Sequence, residues 1–151
     1  MRKTLAMLQL LICLCCFFSC RGTSDPYAVM SDIISAYGAE GIIYSPTVAE
    51  GESGYIDAAL FRRIYAFEGS TPRSYAIFLN SHADYGAECG VFVTSDAAEA
   101  ETVLSLCRER VKLLDPREEC GTVIRRGDVI FYSTLRDTER AEGLFLSAIG
   151  R

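Results

Sequence analysis

Thiols and a single imidazole are the side chains best suited to chemistry in this sequence. They are Cys89, Cys107 and Cys120, with His82 the only histidine among 151 residues. A cysteine attacks as its thiolate and a histidine can take the proton, so Cys89 or Cys120 beside His82 would make an exported thiol-active or hydrolytic enzyme. His82 lies in Asn80-Ser81-His82-Ala83-Asp84, a polar turn between two strand-like runs, where a solvated histidine without a chemical role is the plainer reading. Cys107 falls on the apolar stripe of a helix and behaves there as a small hydrophobe. No CxxC pair joins the three thiols and one histidine cannot complete a ligand set, so no metal site is expected. In an oxidising compartment Cys89 and Cys120 form a candidate disulfide, with a pairing of either to Cys107 left open.

Other motifs carry less. Gly51-Glu52-Ser53-Gly54 is one residue short of a nucleophile elbow and follows no strong strand, which makes Ser53 a loop serine. Arg126-Gly127-Asp128 matches the tripeptide of integrin ligands, yet its place between two β-prone runs reads as turn chemistry. The acids Glu99 and Glu101, Glu118 and Glu119, and Glu139 and Glu142 sit at helix starts or on solvated faces. With no phosphate loop, His-Glu-x-x-His pair or calcium loop in the sequence, no catalytic residue and no cofactor is expected.

The N-terminus is more specific. Arg2-Lys3 is followed by an apolar stretch of fourteen residues, Leu5 to Phe18, interrupted only by Gln9, and then by Ser19. A helix of that length spans about 21 Å, shorter than the ~30 Å of a bilayer core, so the segment reads as a cleaved export signal over residues 1–19. Phe17-Phe18-Ser19-Cys20 resembles the lipobox of bacterial lipoproteins, in which a small residue precedes the cysteine that receives diacylglycerol. Cys13, Cys15 and Cys16 lack such a residue before them. The expectation is lipidation at Cys20, which holds the protein on the outer side of the cell membrane. Cleavage takes away Arg2 and Lys3 and no acid, so 132 residues remain with 13 basic and 20 acidic side chains, and the net charge moves from −5 to −7. That surface disfavours nucleic acid as a partner.

These features must be carried by the remaining chain. Residues 20–26 read as a tether whose Ser24 or Asp25 caps a helix, with Met30, Ile33, Ile34 and Tyr37 on one face and Gly38 as its stop. A short strand is expected at Ile42 to Tyr44 and a short helix over Asp57 to Tyr65. Tyr75, Ile77 and Leu79, then Cys89, Val91 and Val93, recur at period two and predict an antiparallel pair. Asp96 with Glu99 opens the strongest helix, with Ala100, Val103, Leu104, Cys107, Val111 and Leu114 along its buried face and Asp115-Pro116 at its end. Thr122 to Ile124 and Val129 to Tyr132 flank a hairpin turn, and Asp137 or Thr138 caps a last helix. The pattern predicts one α+β domain over residues 27–151, an antiparallel sheet of about four strands with helices packed on one face, preceded by the signal helix.

Val-Phe-Val-Thr-Ser-Asp-Ala-Ala-Glu-Ala-Glu followed by a long amphipathic helix, then the hairpin Gly-Asp-Val-Ile-Phe-Tyr-Ser, is similar to domain-of-unknown-function family 4358 of bacterial lipoproteins. The likeness runs over roughly residues 30–150 and consists of packing and capping patterns. It implies an extracytoplasmic lipoprotein domain with no assigned activity. The expectation is therefore a membrane-anchored domain that binds a protein or envelope component and is no enzyme; the rival is the thiol enzyme of Cys89 or Cys120 with His82.

Overall fold

The structure, a computed structural model, describes residues 25–67, 69–81, 87–117 and 119–150. Four helices and five strands follow one another as α1 (Pro26–Tyr37), β1 (Gly41–Tyr44), α2 (Ala58–Tyr65), β2 (Ser74–Asn80), β3 (Glu88–Val93), α3 (Ala97–Leu114), β4 (Thr122–Arg126), β5 (Val129–Ser133) and α4 (Thr138–Ile149). The strands form one antiparallel sheet in the order β1-β2-β3-β5-β4. The α+β class read from the sequence stands. The signal segment 1–19 and Cys20 lie outside the described residues.

An aspartate caps every helix. Asp25 accepts from the Tyr27 N–H, Asp57 from Leu60, Asp96 from Glu99 and Asp137 from Arg140. Each satisfies one of the backbone donors that a helix start leaves unpaired. At α3 the box closes from the other side as well, because the Glu99 carboxylate accepts from both N–H and hydroxyl of Ser95. The β4–β5 turn has two residues, Gly127 and Asp128, with Gly127 at φ +63° supplying the conformation that a twisted hairpin needs at its first position.

The expectation of helices on one face is corrected: they cover both. Ala76, Phe78, Cys89, Val91 and Phe131 pack beneath α1 and α4, while Tyr75, Ile77, Phe92, Ile130 and Tyr132 pack beneath α2 and α3. The reason is in the residues between the period-two positions. Ala76, Phe78, Gly90 and Phe92 are as apolar as their neighbours, and a strand apolar on both sides belongs in the middle of a three-layer sandwich. The strand count rises to five because β1 joins β2 at the edge through Gly41↔Asn80 to Tyr44↔Ile77.

Candidate functional site

Two settings bring polar side chains of several elements together, a sealed cluster and an open cleft. The sealed cluster lies under α2 and α3. Glu88 begins β3 and turns its carboxylate to the same face as Phe92. Arg110, three residues after Cys107 on the inner stripe of α3, reaches it with two nitrogens, Nε at 2.9 Å from Oε1 and Nη2 at 2.6 Å from Oε2. The third nitrogen, Nη1, donates to the Ile64 carbonyl at the end of α2, 3.0 Å away, and the guanidinium lies over the Tyr65 ring. Tyr132 donates its hydroxyl to Glu88 Oε1, and the Tyr65 and Tyr132 hydroxyls stand 2.6 Å apart.

Two backbone features position this cluster. The Glu88 N–H donates to the Thr134 hydroxyl and its carbonyl accepts from the Thr134 N–H, which clamps the start of β3 to the end of β5. Gly90 stands opposite Tyr132 in the register, and a Cβ there would sit 2.2 Å from the Tyr132 ring. The absent side chain is what lets the ring lie across β3 with its hydroxyl at Glu88.

The charges are matched and the donors used. The Glu88 side chain is 4% exposed and that of Arg110 is 14% exposed. The hydrogen bonds from Arg110 to Glu88 hold the guanidinium charged above its ordinary range, while burial and the Glu88 charge push both phenols, Tyr65 and Tyr132, well above theirs. No buried side-chain nitrogen or oxygen among the described residues lacks a hydrogen-bond partner. The carboxylate accepts three hydrogen bonds in a closed interior, and the cluster ties β3, β5, α2 and α3 together.

The open setting is a cleft of about 650 Å³ at the end of the sheet where β1 and β3 begin and β2 and β5 finish. Tyr37, Glu40, Asp115, Cys120, Thr134 and Arg136 are among its lining residues. Asp115 closes α3 and accepts from the N–H groups of Cys120 and Gly121, both at 2.8 Å. These backbone donors, that of Cys120 foremost, hold its carboxyl below the usual carboxylate range. Cys120 and Gly121 are thereby tied back to the end of α3 by one side chain.

The thiols do not converge. Cys89 points to the α1/α4 side with its Sγ 3.6 Å from Ser133 Oγ, Cys107 is buried on the opposite side, and Cys120 is partly exposed in the loop before β4. All three are free in this structure, where no bridge joins the candidate pair Cys89 and Cys120. Burial pushes the Cys89 thiol up to about 12, which removes the thiolate that a nucleophile needs. His82 and Glu118 lie outside the described residues. Ser53 is exposed in the loop between β1 and α2, and Arg126-Gly127-Asp128 forms the β4–β5 turn, with the Asp128 carbonyl accepting from both N–H and hydroxyl of Thr94. Among the described residues no group of three His, Cys, Asp or Glu side chains is arranged to hold a metal, and no helix is long and apolar enough to cross a membrane.

Sequence reasoning passed over Glu88, Arg110, Tyr65 and Tyr132 as a set. One signal was present: Val103, Cys107, Arg110 and Leu114 share one helical face, so a cation stood on an otherwise apolar stripe and required a buried partner. No family model, no curated protein and no solved structure matches the chain.

Proposed function

We propose that this chain is an extracytoplasmic lipoprotein, anchored to the cell membrane through Cys20, whose α+β domain binds a protein or envelope component in the cleft beside Asp115, Cys120 and Arg136. One contrast carries the reading: the Glu88–Arg110 pair is consumed inside the fold, while a cleft of about 650 Å³ at the end of the sheet is left open. An open, mixed polar and apolar concavity on a rigid scaffold is where ligands bind. The tether is short, since the six residues from Cys20 to Pro26 reach at most about 20 Å, so the domain works close to the bilayer.

Two measurements test it. Wild-type protein should fractionate with membranes and into a detergent phase, and Cys20→Ala should lose both properties and the accompanying precursor cleavage; unchanged partitioning and cleavage in that variant refute the anchor. Pull-down from native envelope should recover a stable partner that Arg136→Glu and Tyr37→Ala both fail to retain. Retention by both variants would remove the cleft from the reading. The thiol-enzyme rival narrows to Cys120, because Cys89 is buried and its thiol is held protonated.

A further inference from the structure

The two edges of the sheet are finished differently. Beyond β1, the chain folds back on itself: the Ser45 N–H donates to the Gly54 carbonyl, Ser45 bridges to Tyr55, and Gly54 lies so near that a Cβ on it would sit 2.4 Å from the Ile43 carbonyl oxygen. That edge is covered. At β4 the parity of the hydrogen bonds can be read from the hairpin. The two-residue turn makes Arg126 and Val129 a hydrogen-bonded pair, so Thr122, Ile124 and Arg126 spend their backbone groups on β5. The Thr94 N–H to Asp128 carbonyl and Thr134 N–H to Glu88 carbonyl bonds agree, since they assign the even residues of β5 to β3. The backbone groups of Gly121, Val123 and Arg125 therefore point away from the sheet. The Gly121 N–H is taken by Asp115, which leaves Val123 and Arg125 as an open edge among the described residues.

We propose that this edge is where two copies of the chain associate, β4 pairing antiparallel with β4 about a two-fold axis through Ile124, so that two five-stranded sheets become one of ten. The register is dictated by the open groups: Val123 of each copy exchanges both backbone hydrogen bonds with Arg125 of the other, giving four in all. Identical side chains then meet at the axis and unlike ones face one another beside it. Ile124 meets Ile124 of the second copy on the α1/α4 side. Beside it Arg126, for which no ion-pair partner is found among the described residues, stands opposite Thr122, whose hydroxyl donates to Glu142. The two-fold brings each Arg126 to the Glu142 of the other copy. On the other side Arg108, which borders the groove of about 340 Å³ next to Val123, comes across from Glu101, already bonded to Arg125 at 3.1 Å. Charged side chains on an edge strand normally keep foreign strands away. Here the same charges select this chain's own edge, because the symmetry places Arg126 opposite the Thr122 hydroxyl and Glu142, and Arg108 across from Glu101, while Arg125, opposite Val123, keeps the Glu101 of its own copy.

The proposal is tested on the full chain in detergent. Unsubstituted protein should sediment as a dimer that dissociates on dilution, and a monomer at every concentration overturns the proposal whether or not any variant folds. With Cys120→Ser as background, oxidation of Ile124→Cys should give a covalent dimer in at least roughly tenfold greater yield than Val123→Cys. Ile124 faces its own copy within disulfide reach, and Val123 faces Arg125. Equal yields, or none from Ile124→Cys, overturn the pairing. Arg126→Glu should weaken association by roughly 2- to 30-fold, with Arg126→Glu/Glu142→Arg restoring it. A loss that the double exchange does not restore counts against the two-fold.

Discussion

Replacing Glu88 by alanine should be the most damaging single substitution of a polar side chain in this domain. The carboxylate accepts two hydrogen bonds from Arg110 and one from Tyr132, and it lies in a closed interior. Its removal leaves the Arg110 guanidinium, 14% exposed, with only the Ile64 carbonyl. Breaking a buried ion pair from one side costs about 3–5 kcal/mol, because the surviving charge is stranded. Against a total of about 5–15 kcal/mol for a domain, and a slope of about 3–5 °C per kcal/mol for a chain of this length, the midpoint of thermal unfolding should fall by about 10–20 °C. Glu88→Gln keeps the shape and loses the charge, and should cost about 1.5–3 kcal/mol. Glu88→Leu/Arg110→Met removes both partners together and should lie within about 2 kcal/mol of wild type. The assay is urea unfolding of all four proteins, read at a common m-value. A cost below about 1 kcal/mol for Glu88→Ala, or a double variant no more stable than Glu88→Ala, would refute the account of a matched pair whose value lies in its being complete.

Other outcomes follow from the same geometry. On raising the pH, Tyr65, Tyr75 and Tyr132 should lag behind the ordinary phenol titration near 10, with Tyr75 pushed up to about 12 by burial; because their folded pKa values are raised, their contribution is whole below pH 10 and is lost above it, so absorbance at 295 nm should show these phenols ionising together with unfolding. Among Cys89, Cys107 and Cys120, only Cys120 should be alkylated by iodoacetamide in the native protein, as peptide mass mapping will show, and denaturation should release the other two; fast labelling of Cys89 would contradict its burial and its raised pKa. Ala66 ends α2 at φ +48°, in the left-handed region, and is exposed, so Ala66→Gly should stabilise the domain by about 0.5–1 kcal/mol in the same urea assay.

The local grammar of this fold is readable. Asp57, Asp96 and Asp137 start their helices where acid before an apolar period predicts, Gly38 stops α1, and Gly127 makes the turn. What local pattern does not contain is which distant residues meet. Glu88 and Arg110 are 22 positions apart, and Tyr65 and Tyr132 are 67 apart. Their conjunction exists only once β3 and β5 are adjacent and α3 crosses over them. The second helical layer was hidden for another reason. Alternation at Tyr75, Ile77 and Leu79 draws the eye to one face, while Ala76 and Phe78 between them carry as much apolar surface to the other. The cleft is less legible still, since the ends of three elements, at Tyr37, Asn80 and Leu114, and four connecting segments far apart in the chain shape it.

The position of Arg110 has a consequence for the order in which the domain opens. α2 has only eight residues, too few to hold a helix in water by itself. It stays in place through the rings of Phe61 and Tyr65 and through the hydrogen bond from Arg110 to its last turn. The guanidinium thus serves as a latch reaching from α3 across to a segment that the sheet holds by one side-chain hydrogen bond, Tyr65 to Tyr132, and by no backbone ladder. Fluctuations that release it should lift α2 and its flanking loops as one cooperative unit, baring the Phe92 and Tyr132 rings while β3 and β5 remain paired. Amide hydrogens of residues 60–66 should accordingly exchange together and before those of the central strands, and in Glu88→Ala that early exchange should quicken with little change in the strands beneath.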